Sequence, residues 1–338
     1  MKKVISVILI LSLAVLALAG CNGNSKTEEN NEQTISITDA VGRTVSVPKD
    51  PKRIVCMNSD LLELAVILNA KDRIVAVDSY TNGGGSWVAE KYPDMANLPC
   101  PQMSNEINKE EMLKINPDLI ITTIFGQIGY EEVLKIEKYV NAPIVVFSFE
   151  HLDTYFTEMS NMAKILNAEE RYNEIKEKCD VLLNDVSSIV SQIPDNEKVS
   201  VYHALWDPYV TFGKNIFQIE QIAAAGGKCV TVELDGFGVT VTPEQIISWN
   251  PDCIVMIYEC SIDAAAMKND PKISSVNAIK NDRVYQHPES GWAFLSPRSI
   301  LAVKWMSVNF YPEKYQAVDM DKEIDDFYKM LFGFGYEK

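Results

Sequence analysis

The sequence predicts an α/β protein with two similar lobes that are joined by one long helix. The first reason is an internal repeat: the segments KEEMLKINPDLIITT (residues 109–123) and PEQIISWNPDCIVMI (243–257) match each other at an offset of 134 residues. The second is that runs rich in Ile and Val alternate with helical patterns in both halves, as in parallel sheets covered on both faces. The third is a stretch between the two copies, residues 168–193, that is helical in pattern and has no Gly or Pro.

The amino-terminal residues are predicted to be a secretory signal rather than part of the fold. Two lysines precede an apolar run that is too short for a spanning helix, so residues 1–21 are interpreted as a signal peptide. The ending LAGC resembles a bacterial lipobox, in which the Cys, here Cys21, is lipidated; a plain secreted protein with a chance Cys is the alternative. Residues 22–34 are polar and acidic and are predicted to be a flexible tether. The expected location is extracytoplasmic, with a lipid anchor in the cell membrane.

Charge and cysteine content exclude several classes of protein. The net charge of −16 argues against nucleic acid as a partner, because a phosphate backbone requires a basic face. The cysteines beyond Cys21 form no CxxC pair, so a zinc ribbon or a redox motif has no support. Their spacing selects no disulfide pairs, and we expect mostly free thiols.

Residues 35–150 are predicted to form the first lobe. After an extended entry, a helix is expected at 59–70, where Ser59 and Asp60 precede apolar residues at helical spacing. Buried strands are expected at 53–58, 73–80, 118–124 and 143–149.

Residues 151–194 are predicted to be a helical connector. Its main element is the helix at 168–193, which is about 39 Å long at 1.5 Å per residue and ends before Pro194. Residues 195–338 are predicted to form the second lobe with closing C-terminal helices. Its expected elements are strands at 198–205, 228–232, 252–258 and 283–287 and a helix at 215–227.

We interpret the repeat as one helix-to-strand corner that occurs twice in the chain. Each copy is a helix that breaks at Asn-Pro, because Pro disfavours helical geometry in the residue before it, and Asp then leads into a buried strand. A solenoid of short repeats is excluded, since its period would be 20–50 residues. Each lobe is therefore expected to contain the same corner.

With these elements in place, the chain resembles the periplasmic-binding proteins that supply ABC importers of metal chelates, which carry iron-siderophores, haem or vitamin B12. The lipobox, ITDAVGRTVSVPKDPKRIV, NPDLII, FQIEQIAAAGG, TPEQIISWNPDCIV and SPRSILAVKWM carry the resemblance, in an order that covers nearly all of residues 36–338. It implies two Rossmann-like lobes joined by a single long α-helix, with the ligand cleft between them. It also implies a monomer without a cofactor that delivers an iron(III)-siderophore or related metal chelate to a permease dimer with its ATPase subunits.

Other functional classes have less support. The three histidines, at 151, 203 and 287, lie in no HExxH motif, and neither GxSxG nor GxxxxGK[ST] occurs, so no enzyme is expected. A direct zinc or manganese binder would need a cluster of His and carboxylates from both lobes. A degenerate enzyme is the remaining alternative.

A cleft for a bulky chelate requires aromatic walls and a few fixed polar groups, and in open α/β sheets such residues follow the strands. On this basis the predicted ligand-binding residues are Tyr80, Phe125, His203, Trp206, Tyr209, Tyr258, Trp292 and Arg298. The alternative for each is packing at a lobe edge, and Arg298 either binds an anion or caps the following helix. Aromatic walls suit a corrinoid or haem as well, and His203 with Arg298 would suit molybdate or tungstate; an iron chelate is preferred.

The repeat also places Glu110 and Glu244 at matching positions near the start of a helix. A carboxylate there complements the helix dipole, which is the structural reading. The resemblance implies a second role, in which one exposed Glu per lobe meets Arg residues of the permease subunits.

Overall fold

The computed structural model describes residues 34–124, 128–149, 151–294 and 296–337. The predicted signal peptide, Cys21 and the tether up to residue 33 lie outside the described residues, as does Phe125. Within the described part, no helix combines the length and apolar character that a membrane span requires.

The first lobe contains a hairpin, a parallel sheet and the helices between its strands. In chain order its elements are β1 (Thr34–Thr38), β2 (Thr44–Pro48), β3 (Ile54–Cys56), α1 (Ser59–Ile67), β4 (Ile74–Val77), α2 (Ser79–Asn82), α3 (Trp87–Lys91), α4 (Pro93–Ala96), β5 (Gln102–Met103), β6 (Glu106–Ile107), α5 (Lys109–Ile115), β7 (Leu119–Thr123), α6 (Tyr130–Leu134) and β8 (Ile144–Phe147).

Two helices, α7 (Leu152–Leu166) and α8 (Glu169–Val190), lead into the second lobe. Its elements are β9 (Ser200–Ala204), β10 (Val210–Phe212), α9 (Phe217–Ala224), β11 (Lys228–Cys229), β12 (Phe237–Thr240), α10 (Pro243–Trp249), β13 (Cys253–Met256), α11 (Ala264–Lys268), α12 (Asn277–Lys280), β14 (Val284–Gln286), α13 (Pro297–Phe310) and α14 (Met320–Phe332).

The two main sheets have the same topology. The first sheet has the order β4-β3-β7-β8 and the second β11-β9-β13-β14, and every neighbouring pair in both is parallel. In each sheet the first strand along the chain lies between the second and the third. The predicted fold of two Rossmann-like α/β lobes is confirmed.

The repeated segment builds the same corner in each lobe, as its sequence predicts. Helices α5 and α10 end at Asn116 and Asn250, whose φ angles of 49° and 46° lie in the left-handed region that Asn tolerates. The Asp that follows then ties the corner to the first strand of its sheet. Asp118 accepts hydrogen bonds from two backbone N–H groups just before β3, at 2.7 and 2.9 Å, and Asp252 accepts them from the backbone N–H and the hydroxyl of Ser200, at 3.2 and 2.7 Å.

The long helix is confirmed as α8, three residues shorter at its C-terminal end than predicted. Its buried residues Ile175, Cys179 and Leu182 pack in the core of the first lobe, and Val186 packs in the core of the second. One helix therefore contributes to both cores, so a hinge at this crossing would have to break packed apolar contacts.

The C-terminal helices correct the predicted division of the chain. Ile300, Leu301 and Ala302 of α13 belong to the core of the first lobe, whereas Val303 and Met306 of the same helix belong to the core of the second. Helix α14 then packs its buried apolar face on the first lobe. Residues 297–332 therefore link the two lobes again rather than closing the second lobe alone.

Candidate ligand-binding cleft

A cavity of about 610 Å³ lies between the lobes, at the carboxyl ends of strands from both main sheets. Its wall is formed by residues that follow β3, β4, β9, β13 and β14, as the topology of open α/β sheets requires. The side chains that give it chemical character are Asp60, Glu63, Tyr80 and Trp87 from the first lobe and Trp206, Phe237, Glu259, Phe294 and Arg298 from the second.

Tyr80 is held in the cleft by the short helix α2. The carboxylate of Asp78 accepts hydrogen bonds from the backbone N–H groups of Tyr80 and Thr81, at 2.9 and 3.1 Å, and so caps the helix just after β4. The ring is 42% exposed and lies over Gly85, where a Cβ atom would come within 2.2 Å of it. Gly85, the last glycine of the run at 83–85, therefore makes room for the ring of Tyr80.

Trp206 forms the opposing aromatic wall. It is 46% exposed, and its ring centroid lies 5.6 Å from that of Phe237 in β12. Gly238, with φ of 76°, lies beneath the indole, so that a Cβ atom there would lie 3.1 Å from the ring. Tyr80 and Trp206, one from each lobe, are thus half-exposed with their rings over a glycine. The rings offer flat surfaces against which a ligand can pack.

Arg298 lines the cleft, but each of its three guanidinium nitrogens already donates a hydrogen bond within the protein. Its Nε donates to Glu63 Oε1 at 2.9 Å, its Nη2 bonds Glu63 Oε2, and its Nη1 donates to Glu289 at 3.2 Å and to the carbonyl of Ser290 at 2.7 Å. The guanidinium also lies 4.2 Å from the ring centroid of Trp87. Burial, the largest single effect, opposes the charge, but Glu63 and Tyr328 together raise the pKa of Arg298 above its ordinary value. Since Glu63 belongs to the first lobe, Arg298 ties the lobes together.

Two carboxylates of the cavity wall have no such cation. Asp60, in the first turn of α1, and Glu259, just after β13, form no ion pair within the described part of the chain. Burial first, and then the charges of Glu63 and Asp78, raise the pKa of Asp60 to about 7.

A second, apolar chamber of about 340 Å³ adjoins the cavity. The two share Asp60, Phe237 and Phe294 in their walls, and most of the surface of the chamber is apolar, with Phe149 and Phe217 among its lining residues. The cleft is therefore amphipathic, with an acidic, aromatic part and a hydrocarbon part. Its total size falls in the range of sites for small organic ligands.

Two of the predicted ligand-binding residues lie in the core instead of the cleft. His203 is fully buried within β9, between Phe212 and His287 at 5.1 and 5.6 Å between ring centroids, and burial lowers its pKa to about 3. Trp292 is also fully buried, and its indole Nε1 donates to the Tyr328 hydroxyl at 2.9 Å. The reason is that His203 belongs to the strand and not to the loop after it, and that the loop holding Trp292 turns inward toward α14.

Tyr209 and Tyr258 are also placed outside the cavity wall. The Tyr209 hydroxyl is bonded to Asp270, with Lys272 over the ring, and Tyr258 is exposed next to Glu259. Of the eight predicted side chains, the structure places Tyr80, Trp206 and Arg298 at the cavity. It gives no position for Phe125.

The sequence prediction missed Asp60, Glu63, Trp87, Phe237 and Phe294. A signal existed for Asp60, because the segment Asn58 to Asp60 directly follows the first buried strand and begins a helix. Phe237 lies in β12, which pairs antiparallel with β10 over few residues and whose sequence has no clear period.

Glu110 and Glu244 lie at equivalent places, as the repeat predicts. Each is the exposed second residue of its helix, α5 or α10, behind a capping side chain. One turn further on, each helix also exposes an apolar residue, Leu113 or Ile247. Docking to a partner stays a prediction for these residues.

The cysteines and potential metal ligands are also placed. Cys56, Cys100, Cys179, Cys229, Cys253 and Cys260 are free thiols. Among the residues for which the structure gives positions, no group of three or more His, Cys, Asp or Glu side chains is arranged to hold a metal ion.

A family model for periplasmic binding proteins matches residues 54–290. Among the relatives, the molybdate-binding protein MolA of Haemophilus influenzae is 23% identical, over 89% of this chain and 92% of its own. An uncharacterised ABC transporter substrate-binding lipoprotein of Bacillus subtilis, YvrC, is 26% identical, over 94% of this chain and 100% of its own, and the iron(3+)-hydroxamate-binding protein FhuD of the same organism is 23% identical, over 85% and 91%. The crystal structure of MolA bound to molybdate superposes with a TM-score of 0.79, at 23% identity, over 90% of this chain and 99% of that one.

Proposed function

The chain belongs to the periplasmic binding protein family, and from that premise we propose that it captures a bulky metal chelate, with an iron(III)-siderophore as the first choice. It is a substrate-binding protein of an ABC importer, a class that works with a permease and an ATPase. We propose in addition that the protein has no catalytic activity of its own.

The observation that carries the proposal is the cleft itself. A cavity of about 610 Å³ with an adjoining apolar chamber has room for a chelate with organic arms. Tyr80 and Trp206 offer half-exposed rings from opposite lobes, and such rings bind planar or ring-bearing ligands by stacking. The hydroxamate-binding relative FhuD, which is named for a ferric chelate, supports the same ligand class.

An oxyanion is the second candidate, because MolA is named for molybdate. The residues that the sequence offered for this role do not favour it. His203 is buried away from the cleft, and every nitrogen of the Arg298 guanidinium is engaged by Glu63, Glu289 or Ser290. A lone tetrahedral anion would also leave most of the cavity unfilled.

We further propose that the protein is lipid-anchored through Cys21 and acts as a monomer. Anchoring through a lipobox agrees with the substrate-binding lipoproteins among the relatives. Several acyl chains on one residue would hold a protein stably, since about two membrane-binding signals are needed for stable anchoring.

Native mass spectrometry of the protein purified from its own host tests the ligand proposal. A bound organic mass carrying the iron isotope pattern is expected, and it should be lost from a Trp206→Ala variant purified in parallel. A molybdate or tungstate adduct would replace the proposal by the second candidate. Turnover of a substrate at about 1 s⁻¹ or more, a rate typical of enzymes, would contradict the absence of catalysis.

A further inference from the structure

The cleft carries negative charge that its own basic side chains do not balance. Among the described residues of its wall, Arg298 is the only cation, and it is bonded to Glu63 and Glu289. Asp60 and Glu259 face the same cavity without an ion-pair partner in the described part of the chain, and Glu259 is bonded only to the neutral hydroxyl of Ser290.

The other arginines of the chain are also engaged in hydrogen bonds, so they offer no free guanidinium for an anion. Apart from Arg298, each is bonded to backbone carbonyls, in three cases together with a carboxylate. These are Arg43, Arg53, Arg73, Arg171 and Arg283. A binding site for an anionic chelate or an oxyanion requires positively charged or N–H donor groups directed at the ligand. The described wall offers the carboxylates of Asp60 and Glu259 and no free cation.

The titration of two wall residues reflects the same negative field. After burial, the carboxylates of Glu63, Asp78 and Glu259 raise the pKa of Asp60, and Arg298 only partly opposes them. The pKa of Tyr80 is raised by burial and then by Glu259, Asp60 and Asp78. A ligand with positive charge would relieve this repulsion, whereas a negative ligand would add to it.

We propose that the cleft selects a positively charged metal chelate, with its charge held by Asp60 and Glu259, a ring or chelate face against Tyr80 and Trp206, and its hydrocarbon part in the apolar chamber. This inference rests on the proposed function in taking the ligand to be a chelate, and it adds the sign of the charge. It separates this chain from a site for oxyanions on the same fold.

The test is a binding series in which charge is the main variable. The probes are a singly positive ferric trihydroxamate (the iron complex of desferrioxamine B), a neutral ferric trihydroxamate, a ferric tris-catecholate, molybdate, and hexaamminecobalt(III) as a bulky cation that is not an organic chelate. Binding is measured by equilibrium dialysis with metal analysis and by tryptophan quenching.

The positive trihydroxamate should bind at least about tenfold more tightly than the neutral one, since a carboxylate several ångströms from a cation in a partly solvated site is worth about that factor. Asp60→Asn and Glu259→Gln should each weaken it by about tenfold and leave the neutral chelate nearly unchanged. The control is Glu197→Gln, which removes the same charge outside the cleft and should change neither affinity. Glu197 is exposed and lies just before β9, at the amino end of that strand.

Each outcome has a separate meaning. Tightest binding of the tris-catecholate or of the neutral chelate would overturn the charge inference and leave the chelate function standing, whereas tightest binding of molybdate would overturn both and favour an oxyanion carrier. Binding of hexaamminecobalt(III) alone, weakened by Asp60→Asn, would support the selection of a cation by the cleft and overturn the chelate proposal. Binding of no probe would overturn both.

Discussion

Removal of the buried guanidinium of Arg298 is expected to destabilise the whole protein rather than only the ligand site. The side chain of Arg298 is fully buried and that of Glu63 is 6% exposed, so an Arg298→Met variant leaves a carboxylate in a nearly dry environment without its cation. Breaking such a pair by removing one partner costs about 3–5 kcal/mol in free energy of unfolding. Since domains are stable by about 5–15 kcal/mol, the variant should still fold.

The assay is equilibrium unfolding in urea, followed by tryptophan fluorescence and circular dichroism. Glu63→Gln and the double variant complete a double-mutant cycle, and we expect a coupling energy between Arg298 and Glu63 of at least about 2 kcal/mol. Lys322→Met is the control, because its ion pair with Asp326 is exposed and should be worth less than about 1 kcal/mol.

Two results would refute this reasoning. A loss of less than about 1 kcal/mol in Arg298→Met would mean that water screens the pair, as at a protein surface. Unchanged stability with a large loss of ligand affinity would mean that Arg298 is a ligand-binding residue, which is the role that the sequence left open.

Four further outcomes are expected. Trp206→Ala should weaken chelate binding by about 1–3 kcal/mol, whereas Trp292→Phe in the core should not, and equal losses would remove Trp206 from the site. His203→Phe should gain stability relative to wild type by about 1.4 kcal/mol per pH unit below about pH 6.5. The reason is that the buried imidazole of the wild type stays neutral in the folded state, with its pKa near 3, whereas it is protonated in the unfolded chain. A difference in urea midpoints that does not vary with pH would contradict this. Small-angle scattering should give nearly equal radii of gyration with and without ligand, since helices α8 and α13 pack in both cores, and a large compaction would be inconsistent with that packing. Glu110→Lys combined with Glu244→Lys should abolish uptake in reconstituted vesicles with ligand affinity intact. Normal uptake would mean that the two carboxylates only complement the dipoles of their helices.

The strands and the repeated corner were predictable because local patterns determine them. The runs at 118–124 and 252–258 became β7 and β13, within a few residues at each end, since a buried parallel strand needs a continuous apolar run whatever its neighbours are. The left-handed Asn before Pro is equally local, and both copies of the repeat carry it.

The site residues were less predictable because their direction depends on distant contacts. Trp292 follows a strand as a cleft residue should, but it turns inward to bond the hydroxyl of Tyr328, 36 residues further along the chain. Arg298 meets Glu63 at a separation of 235 residues, so the sequence offered a free anion site where the structure has a closed ion pair. From the sequence, Asp60 could be assigned only to the start of a helix, because its role in the cleft depends on Glu259, which lines the same cavity from the other lobe.

The duplication explains which features of the molecule come in pairs and which do not. The sheet order, the corner at Asn-Pro, the carboxylates Glu110 and Glu244 and the exposed apolar residues beside them are all present once per lobe at equivalent positions. The cleft is different, because Tyr80 follows the second strand of its sheet while Trp206 follows the first strand of the other. Paired surface groups suit a partner built from two related subunits, whereas an asymmetric cleft suits one asymmetric small molecule. The paired surface groups therefore fit the predicted docking surface, and the unpaired residues of the cleft fit the ligand site.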